Sequence, residues 1–236
     1  MAPGAFRMIY IDPPFFTGKE FVGRKGLKGF DDRWKAGMTG YLDFLRPRLE
    51  AIYALLAKDG SLLLHLDWRA VHYAKVLCDE LFGSRAFMNE IIWAYNSGGG
   101  SKNAYGKKHD TILWYGRTAK PYFDREAARV PYDAIIAKKR AHLFNENGKV
   151  SGDVLRISRP PNHSPEWTGW PTQKPLALLR FLVRCHSQQG DLVGDFFCGS
   201  GTTLLAAKLE SRRWFGCDES DEAVRLAKER LEAGAG

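Results

Sequence analysis

The segment IYIDPPFFTG, residues 9–18, places a carboxylate at the end of an apolar run and follows it with two prolines and two aromatic rings. The apolar run predicts a buried strand, and Asp12 falls where that strand ends. Pro13 and Pro14 have no backbone N–H, so they cannot extend a central ladder, and they stiffen the chain. A carboxylate is therefore held beside two carbonyls, with Phe15 adjacent. Taken alone, the segment is equally compatible with a solvated acid that ends a strand.

A second segment, DFFCGSGTT at 195–203, predicts a strand, a glycine turn and the start of a helix. Gly199 and Gly201 would let the backbone approach a ligand at the carboxyl edge of a sheet, and Asp218 ends the next strand, where an acid commonly binds ribose hydroxyls. The segment lacks the third glycine of the dinucleotide fingerprint and the lysine of a P-loop. These differences favour a nucleoside without a pyrophosphate, which describes S-adenosylmethionine. An ordinary βαβ turn is the alternative.

The composition favours a basic α/β protein with a polyanionic partner. The chain has 236 residues, a formal charge of +8 and a pI of about 9.3, which favours nucleic acid, although a merely basic protein is the alternative. No apolar run approaches the ~20 residues of a membrane span, and the first residues lack a signal-peptide core. None of the four cysteines has C-x-x-C spacing, so we expect no metal site and thiols in a reducing cytoplasm.

Strand and helix patterns alternate along most of the chain. Strands are predicted at 8–11, 61–66, 87–95, 110–116, 191–198 and 212–218. Helices are predicted at 68–82, 174–186, 203–210 and 220–231. This alternation predicts an α/β fold with a doubly wound, mostly parallel sheet.

The order of these segments resembles the β-class amino-methylating DNA methyltransferases, and the modification subunits of restriction systems in particular. IYIDPPFFTG, LLLHLDWRAVHYAKVLCDELFG, NEIIWAY, KHDTILWYG, GWPTQKP and DFFCGSGTT carry the resemblance over nearly the whole chain. It implies a Rossmann-like S-adenosylmethionine-dependent methyltransferase fold with a small recognition insert. The expected division is a catalytic half at 1–116, a target-recognition insert at 117–165 and a cofactor-binding half at 166–236.

The resemblance gives the opening segment a chemical role. The adenine amino group is a poor nucleophile because its lone pair is delocalised into the ring. The Asp12 carboxylate and the Pro13 carbonyl would accept hydrogen bonds from that amino group and favour a more tetrahedral nitrogen. Pro14 completes the catalytic motif. Phe15, where the family usually has Tyr, would stack on a base extruded from the duplex.

The resemblance also assigns a cofactor site. Thr172 and Lys174 lie in the segment that the family places near the methionine carboxylate, and Lys174 is the expected counter-ion, with a solvated lysine at a helix start as the alternative. The residues that match the family's cofactor motifs are Asp195, Phe197, Gly199, Ser200, Gly201, Thr202, Thr203 and Asp218.

Basic residues in two regions are expected to contact DNA. The glycine-rich loop before residue 110 and the insert at 117–165 carry cations that could reach phosphates or guanine edges, although a solvated loop is the alternative. The candidates are Lys102, Lys107, Lys108, Arg125, Arg140 and Arg159.

The leading interpretation is a site-specific enzyme that methylates the adenine amino group in double-stranded DNA, located in the cytoplasm of a bacterial or archaeal cell and associated with the nucleoid. A homodimer and a restriction endonuclease are candidate partners. The alternatives are an N-terminally truncated, non-catalytic DNA-binding relative, and a methyltransferase acting on cytosine amino groups, RNA or a protein side chain. Relatives usually carry a Gly-Asp segment before the catalytic motif, but only seven residues precede Met8 here. We expect this difference to affect cofactor affinity more than the fold.

Overall fold

The computed structural model describes residues 2–23, 28–96, 100, 102–132, 145–159, 161 and 164–234. The strands are β1 (Phe6–Ile11), β2 (Glu20–Val22), β3 (Lys28–Asp31), β4 (Leu56–Leu66), β5 (Phe87–Ala94), β6 (His109–Gly116), β7 (Arg129–Val130), β8 (Lys149–Val150), β9 (Val154–Arg156), β10 (Leu192–Asp195) and β11 (Arg213–Gly216). The α-helices are α1 (Gly37–Leu55), α2 (Val71–Phe82), α3 (Leu176–His186), α4 (Thr202–Leu209) and α5 (Asp221–Ala233). None of these helices is long and apolar enough to cross a bilayer.

Seven strands form the central sheet in the order β11-β10-β1-β4-β6-β5-β9. Strand β6 is antiparallel to both of its neighbours, whereas the other six strands share one direction. Strands β2 and β3 form one small antiparallel sheet, and β7 and β8 form another. The mostly parallel sheet that the sequence predicts is confirmed.

Strand β1 lies inside the sheet and is buried on both faces. Phe6, Ile9 and Ile11 pack in a cluster with residues of α1 and α2. Met8 and Tyr10 point to the opposite face, where they pack with residues of α3 and α4. Because successive side chains of a strand alternate between faces, a continuous apolar run suits a strand with helices on both sides. The doubly wound arrangement is thereby confirmed.

The pairing of β1 with β10 sets the position of the two sequence motifs. Met8 lies opposite Val193 and Ile9 opposite Gly194 in a parallel register. A Cβ atom on Gly194 would lie 2.8 Å from the Phe6 ring, so the packing of this ring against β10 depends on the glycine. Since the two strands run in parallel, Asp12 after β1 and Asp195 at the end of β10 reach the same edge of the sheet.

Helix α1 was not predicted from the sequence. Its buried residues are Tyr41, Leu45, Leu49 and Ile52, whose helical spacing is the signal that could have located it. Pro47 lies inside the helix, and a proline normally argues against a helix interior because it removes a hydrogen bond.

Several predicted boundaries differ from the structure. Strand β4 begins at Leu56 and not at residue 61, α2 begins at Val71 and not at 68, and β10 ends at Asp195 and not at 198. Within the expected insert at 117–165, the short strand β9 pairs with β5 at the sheet edge. The division into two halves and an insert stays a prediction. A three-residue strand carries too little periodicity to be predicted from sequence.

Candidate active site

A cleft of about 530 Å³ opens at the carboxyl edge of the central sheet, above β1 and β10. A smaller cavity of about 20 Å³ adjoins it and is lined by Pro13 and Phe15. Predicted site residues from both ends of the chain line the large cleft: Asp12, Pro14, Thr172, Lys174, Asp195, Phe197, Gly199, Ser200, Thr202, Thr203 and Asp218. The fold therefore brings the two sequence motifs and the PTQKP segment to one place.

The glycine turn is shaped by contacts within the protein. Gly199 has a positive φ of 47°, and a Cβ atom there would lie 2.9 Å from Nε1 of Trp170. Its N–H donates to Oδ2 of Asp218 at 2.8 Å, so the predicted ribose-binding acid also fixes the turn. Gly201 does not line the cleft. A Cβ on Gly201 would lie 2.7 Å from Cβ of Ala227, so its lack of a side chain allows α4 to pack against α5. Its predicted contact with a cofactor stays a prediction.

Arg230 anchors the same turn from behind. Its guanidinium donates to the carbonyl of Ser200 at 2.9 Å and to Oγ1 of Thr202 at 2.9 Å. Burial lowers the pKa of Arg230. Arg230 was not predicted from the sequence, because nothing in the charged pattern of α5 distinguishes it from the exposed Arg225 of that helix.

Asp195 ends β10 as a buried carboxyl group that faces other acids. Its Oδ1 accepts the N–H of Phe197 at 3.0 Å. Burial is the main cause that raises the pKa of Asp195 to about 7, and the negative charges of Asp12 and Asp218 add to it. The floor of the cleft therefore carries a carboxyl group that can be neutral near physiological pH.

Asp32 is fully buried and holds the predicted catalytic loop, which is the segment at 12–18 that follows β1. Its two carboxylate oxygens accept hydrogen bonds from the N–H groups of Phe16 and Thr17, from the Thr17 hydroxyl and from Nε1 of Trp34, at 2.6 to 3.0 Å. Phe16 adopts a positive φ of 61°, which is unusual for a residue with a side chain. We infer that these bonds stabilise the unusual backbone. Asp32 was missed because it lies after a hairpin, outside the motif.

The two proline carbonyls of the catalytic loop have different environments. The hydroxyl of Tyr41, which is fully buried on α1, donates to the carbonyl of Pro14 at 2.7 Å. Pro13 instead lines the small cavity next to Phe15. The Pro14 carbonyl therefore has a partner within the protein, and the role expected of the Pro13 carbonyl stays a prediction.

The carboxylate of Asp12 is paired on one oxygen. Its Oδ2 forms an ion pair with Nζ of Lys174, and the side chains of the two residues are only 15% and 7% exposed. Its Oδ1 is buried and has no hydrogen-bond partner among the described residues. A buried acceptor without a partner is costly in a folded protein, so it marks a place where a ligand donor fits.

A buried histidine lies beneath Phe15. The ring of His65 is 5.7 Å from that of Phe15, its Nδ1 is 2.6 Å from the Tyr10 hydroxyl and its Nε2 lies 3.4 Å from Oδ2 of Asp110. Burial opposes ionisation of Asp110, but nearby His65, Lys174 and Arg159 outweigh it and lower its pKa to about 2. This network supports the face of Phe15 that points away from solvent.

The predicted DNA-binding lysines lie on an exposed loop. Lys102, Lys107 and Lys108 are exposed, and Tyr105 is 99% exposed. Nζ of Lys107 lies 4.4 Å from the ring centroid of Trp68, which follows β4 at the carboxyl edge and is itself half-exposed. The loop therefore presents cations and an aromatic face on the same edge as Asp12.

The predicted arginines of the insert differ in their position. Arg125 is exposed. Arg159 stacks on the ring of Tyr95 at 4.0 Å and lies 3.5 Å from Asp110, so it borders the network below Phe15. Arg140 lies outside the described residues.

Among the residues that the structure describes, no group of three or more potential ligands is placed to hold a metal ion.

A family model described as DNA methylase matches residues 6–229. Type II methyltransferase M.EcaI of Enterobacter cloacae is 27% identical over 296 residues, an alignment that covers 97% of this chain and 65% of that protein. DNA adenine methyltransferase YhdJ of Escherichia coli (strain K12) is 29% identical over 238 residues, covering 97% of this chain and 76% of that protein. The chain thus spans less than two thirds of the length of M.EcaI.

Solved structures show the same fold. The PvuII DNA methyltransferase (cytosine-N4-specific) superposes with a TM-score of 0.71 at 21% identity, covering 98% of this chain and 81% of that chain. The M1.HpyAVI–SAM complex superposes with a TM-score of 0.64 at 22% identity, covering 95% of this chain and 87% of that chain. These similarities confirm the predicted fold class.

The carboxylate of Asp32 should be essential for the stability of the catalytic loop. We expect Asp32→Ala to lower the free energy of unfolding by about 3 kcal/mol or more, because it leaves several buried donors without an acceptor. The matched control is Asp31→Ala, which removes an adjacent carboxylate that is 52% exposed and pairs with Arg33. That variant should unfold at nearly the same urea concentration as the wild type. Equal losses in the two variants would contradict this role.

The raised pKa of Asp195 should appear in the pH dependence of stability. Between about pH 4 and pH 7 the folded state keeps a proton that the unfolded state, with the ordinary pKa of 3.8, has released. The free energy of unfolding should therefore fall with rising pH, by at most about 1.4 kcal/mol per pH unit from this group. Urea unfolding at pH 5, 6 and 7 would measure it. Asp195→Asn should remove this part of the slope, and an unchanged slope would contradict the assignment.

Proposed function

The chain belongs to the DNA methylase family, and from this premise we propose that it methylates the exocyclic amino group of adenine in double-stranded DNA, with S-adenosylmethionine as the methyl donor. The observation that carries this proposal is the buried, unpartnered Oδ1 of Asp12. Asp12 lines both the large cleft and the small cavity, so this acceptor lies where the two meet. An N–H group of the target base is the donor that would fit it.

The large cleft suits a nucleoside cofactor. Its walls combine aromatic faces, such as that of Phe197, with the fixed turn at Gly199 and the carboxylate of Asp218. A cleft of about 530 Å³ has the size of a small-molecule site. The M1.HpyAVI–SAM complex, which has the same fold, supports S-adenosylmethionine as the ligand. When bound, this cofactor supplies an electrophilic methyl group on a sulfonium.

The chain's own residues would activate the nucleophile. The Asp12 carboxylate and the Pro13 carbonyl would accept hydrogen bonds from the two N–H groups of the amino group and would make its nitrogen more tetrahedral. The lone pair of that nitrogen can then attack in line, forming the N–C bond as the S–C bond breaks, and the nitrogen loses one proton to solvent. Such positioning can supply much of the reduction in the barrier, and no covalent enzyme intermediate is required.

The target base must leave the duplex to reach Asp12. Phe15 offers a ring beside the small cavity, and His65 supports that ring from below. Base stacking on an aromatic side chain contributes about 1–3 kcal/mol, which helps to offset the cost of unstacking. This arrangement is the physical basis for proposing base flipping.

Adenine is the proposed target and the cytosine amino group is the alternative. In the family that the chain resembles, Asp at position 12 is associated with adenine as the target, whereas Ser is associated with cytosine. YhdJ is named as an adenine methyltransferase. The PvuII enzyme, which shares the fold, is named as cytosine-N4-specific. Both targets present an exocyclic amino group to the same two acceptors, so the chemistry at Asp12 is common to them.

The carboxyl edge is the proposed DNA-binding surface. Lys107, Lys108 and Arg159 lie around the edge that carries Asp12, and a positive surface there would attract phosphates. We assign sequence recognition to the segment at 117–165, of which β9 is anchored on the sheet. A homodimer and an endonuclease partner stay predictions.

Transfer of labelled methyl to unmethylated genomic DNA, with the nucleosides separated by mass spectrometry, tests the proposal. We expect label in N6-methyladenine. Label in N4-methylcytosine would establish the alternative target, and no label would favour a non-catalytic DNA-binding relative.

The same assay tests the role of Asp12. Asp12→Asn and Asp12→Ala should lower kcat by about 10²-fold or more, because the transition-state acceptor is lost. Both variants should still fold and keep the cofactor affinity, although the loss of the buried partner of Lys174 should lower the free energy of unfolding. Activity near the wild-type level in either variant would refute the catalytic assignment.

The exposed loop that carries Lys107 and Lys108 should contribute to the salt dependence of DNA binding. Replacing both Lys107 and Lys108 by Gln should weaken duplex binding and lower the slope of log K against log salt by about 1.8, since each phosphate contact contributes about 0.9. Lys228→Gln, on the exposed face of α5, is the matched control and should leave the slope unchanged. Fluorescence anisotropy at several salt concentrations gives both slopes, and identical slopes would place the DNA elsewhere.

A further inference from the structure

We propose that Lys174 is a positioning residue for the methyl-transfer reaction. Its ammonium holds Oδ2 of Asp12, so that Oδ1 stays directed at the amino group of the target base. The inference rests on the proposed function, and it gives Lys174 a different task from the counter-ion of the cofactor carboxylate that the sequence predicts.

The first support is the place of the ion pair between the two cavities. Asp12 and Lys174 line the large cleft and also the small cavity beside Phe15. The methyl group must pass between a donor in the first space and a base next to the second. The pair therefore forms part of the wall across which the reaction takes place.

The second support is that the ammonium of Lys174 already has its contacts. Besides the Asp12 carboxylate, Nζ lies 3.4 Å from the carbonyl of Thr172 and 4.9 Å from the ring centroid of Phe15. The side chain is 7% exposed. Two of the three N–H donors of the ammonium thus have acceptors within the protein, and the role proposed here uses these existing contacts.

The third support is that the segment before Lys174 is held in place by hydrogen bonds within the protein. Thr172 adopts a positive φ of 63°, and such an outlier persists only where the surroundings hold it. The amide of Gln173 donates to the carbonyl of Glu166 at 2.8 Å and accepts the N–H of Thr168 at 3.0 Å. These bonds fix the backbone immediately before Lys174.

The Glu166 side chain completes this support. Its Oε1 accepts the N–H of Leu176, at the start of α3, at 2.6 Å. Lys174 is thus held between a bonded loop and the first turn of a helix. A lysine that is merely solvated would not require these hydrogen bonds around it.

The physical benefit concerns a carboxylate in acidic surroundings. Asp195 lies near enough that the charge of Asp12 raises its pKa. Without Lys174, Asp12 would face Asp195 with no cation bound to either of its oxygens. With Lys174 bound to one oxygen, the other has a fixed direction before the base arrives.

Kinetics of Lys174 variants test this role. We expect Lys174→Met to lower kcat by about 10²-fold and to leave the Kd for S-adenosylmethionine within about twofold. Lys174→Arg should recover part of the loss, because it restores a cation at Oδ2. The matched control is Lys75→Met, which removes a half-buried lysine that pairs with Asp79 and lies 4.1 Å from the ring of Phe87, away from the cleft.

A double-variant cycle then asks whether Lys174 acts through Asp12. If it does, Lys174→Met should cause little further loss of kcat in an Asp12→Asn background. Independent, multiplicative losses would overturn the inference. So would a Lys174→Met variant with unchanged or higher kcat, because the pair would then be only a resting contact.

Cofactor binding separates the two roles of Lys174. Calorimetry with S-adenosylmethionine and with 5′-methylthioadenosine, which lacks the carboxylate, should give wild-type affinities in Lys174→Met. A loss restricted to S-adenosylmethionine would instead establish the counter-ion role and overturn the positioning role. No methyl transfer by the wild type would overturn the proposed function and this inference with it, whereas transfer that is insensitive to Lys174 would overturn the inference alone.

Discussion

The parallel pairing of β1 with β10 is the constraint on which the candidate site depends. It brings the carboxylate that follows the first strand, Asp12, to the same edge as Asp195 at the end of a strand near the other end of the chain. Gly194 on β10 leaves space for the buried Phe6 ring, with which a side chain at this position would collide. Strands with other directions would place the two acids on opposite edges, and no shared cleft would form.

This arrangement concentrates negative charge, and the structure compensates for it in two ways. The pKa of Asp195 rises to about 7, mainly through burial, so this group can shed its charge. Asp12 instead pairs with Lys174, which lies at the start of α3. The Asp12 carboxylate therefore has a cationic partner in the cleft, and the two acids do not lie side by side as unpaired buried charges.

The sequence predicted the central part of the molecule well and the supporting residues poorly. The motif at Asp12 and the glycine turn were recognisable because backbone chemistry and short spacing specify them locally. Asp32 and Tyr41, which hold the catalytic loop, were missed because their partners lie 15 to 27 residues away and nothing local marks them. The contact of Gly201 with Ala227 was also missed, since sequence cannot distinguish a glycine required by a helix contact from one required by a ligand.

By itself the sequence determined the doubly wound class and the candidate acids, because strand periodicity, proline and glycine act within a few residues. It also indicated the family by the order of its motifs. Only the tertiary structure decided that Lys174 pairs with Asp12, and that one oxygen of Asp12 remains buried without a partner among the described residues. Such contacts arise from strand order and helix packing, which bring together side chains 162 residues apart. Local propensity carries no information on that distance.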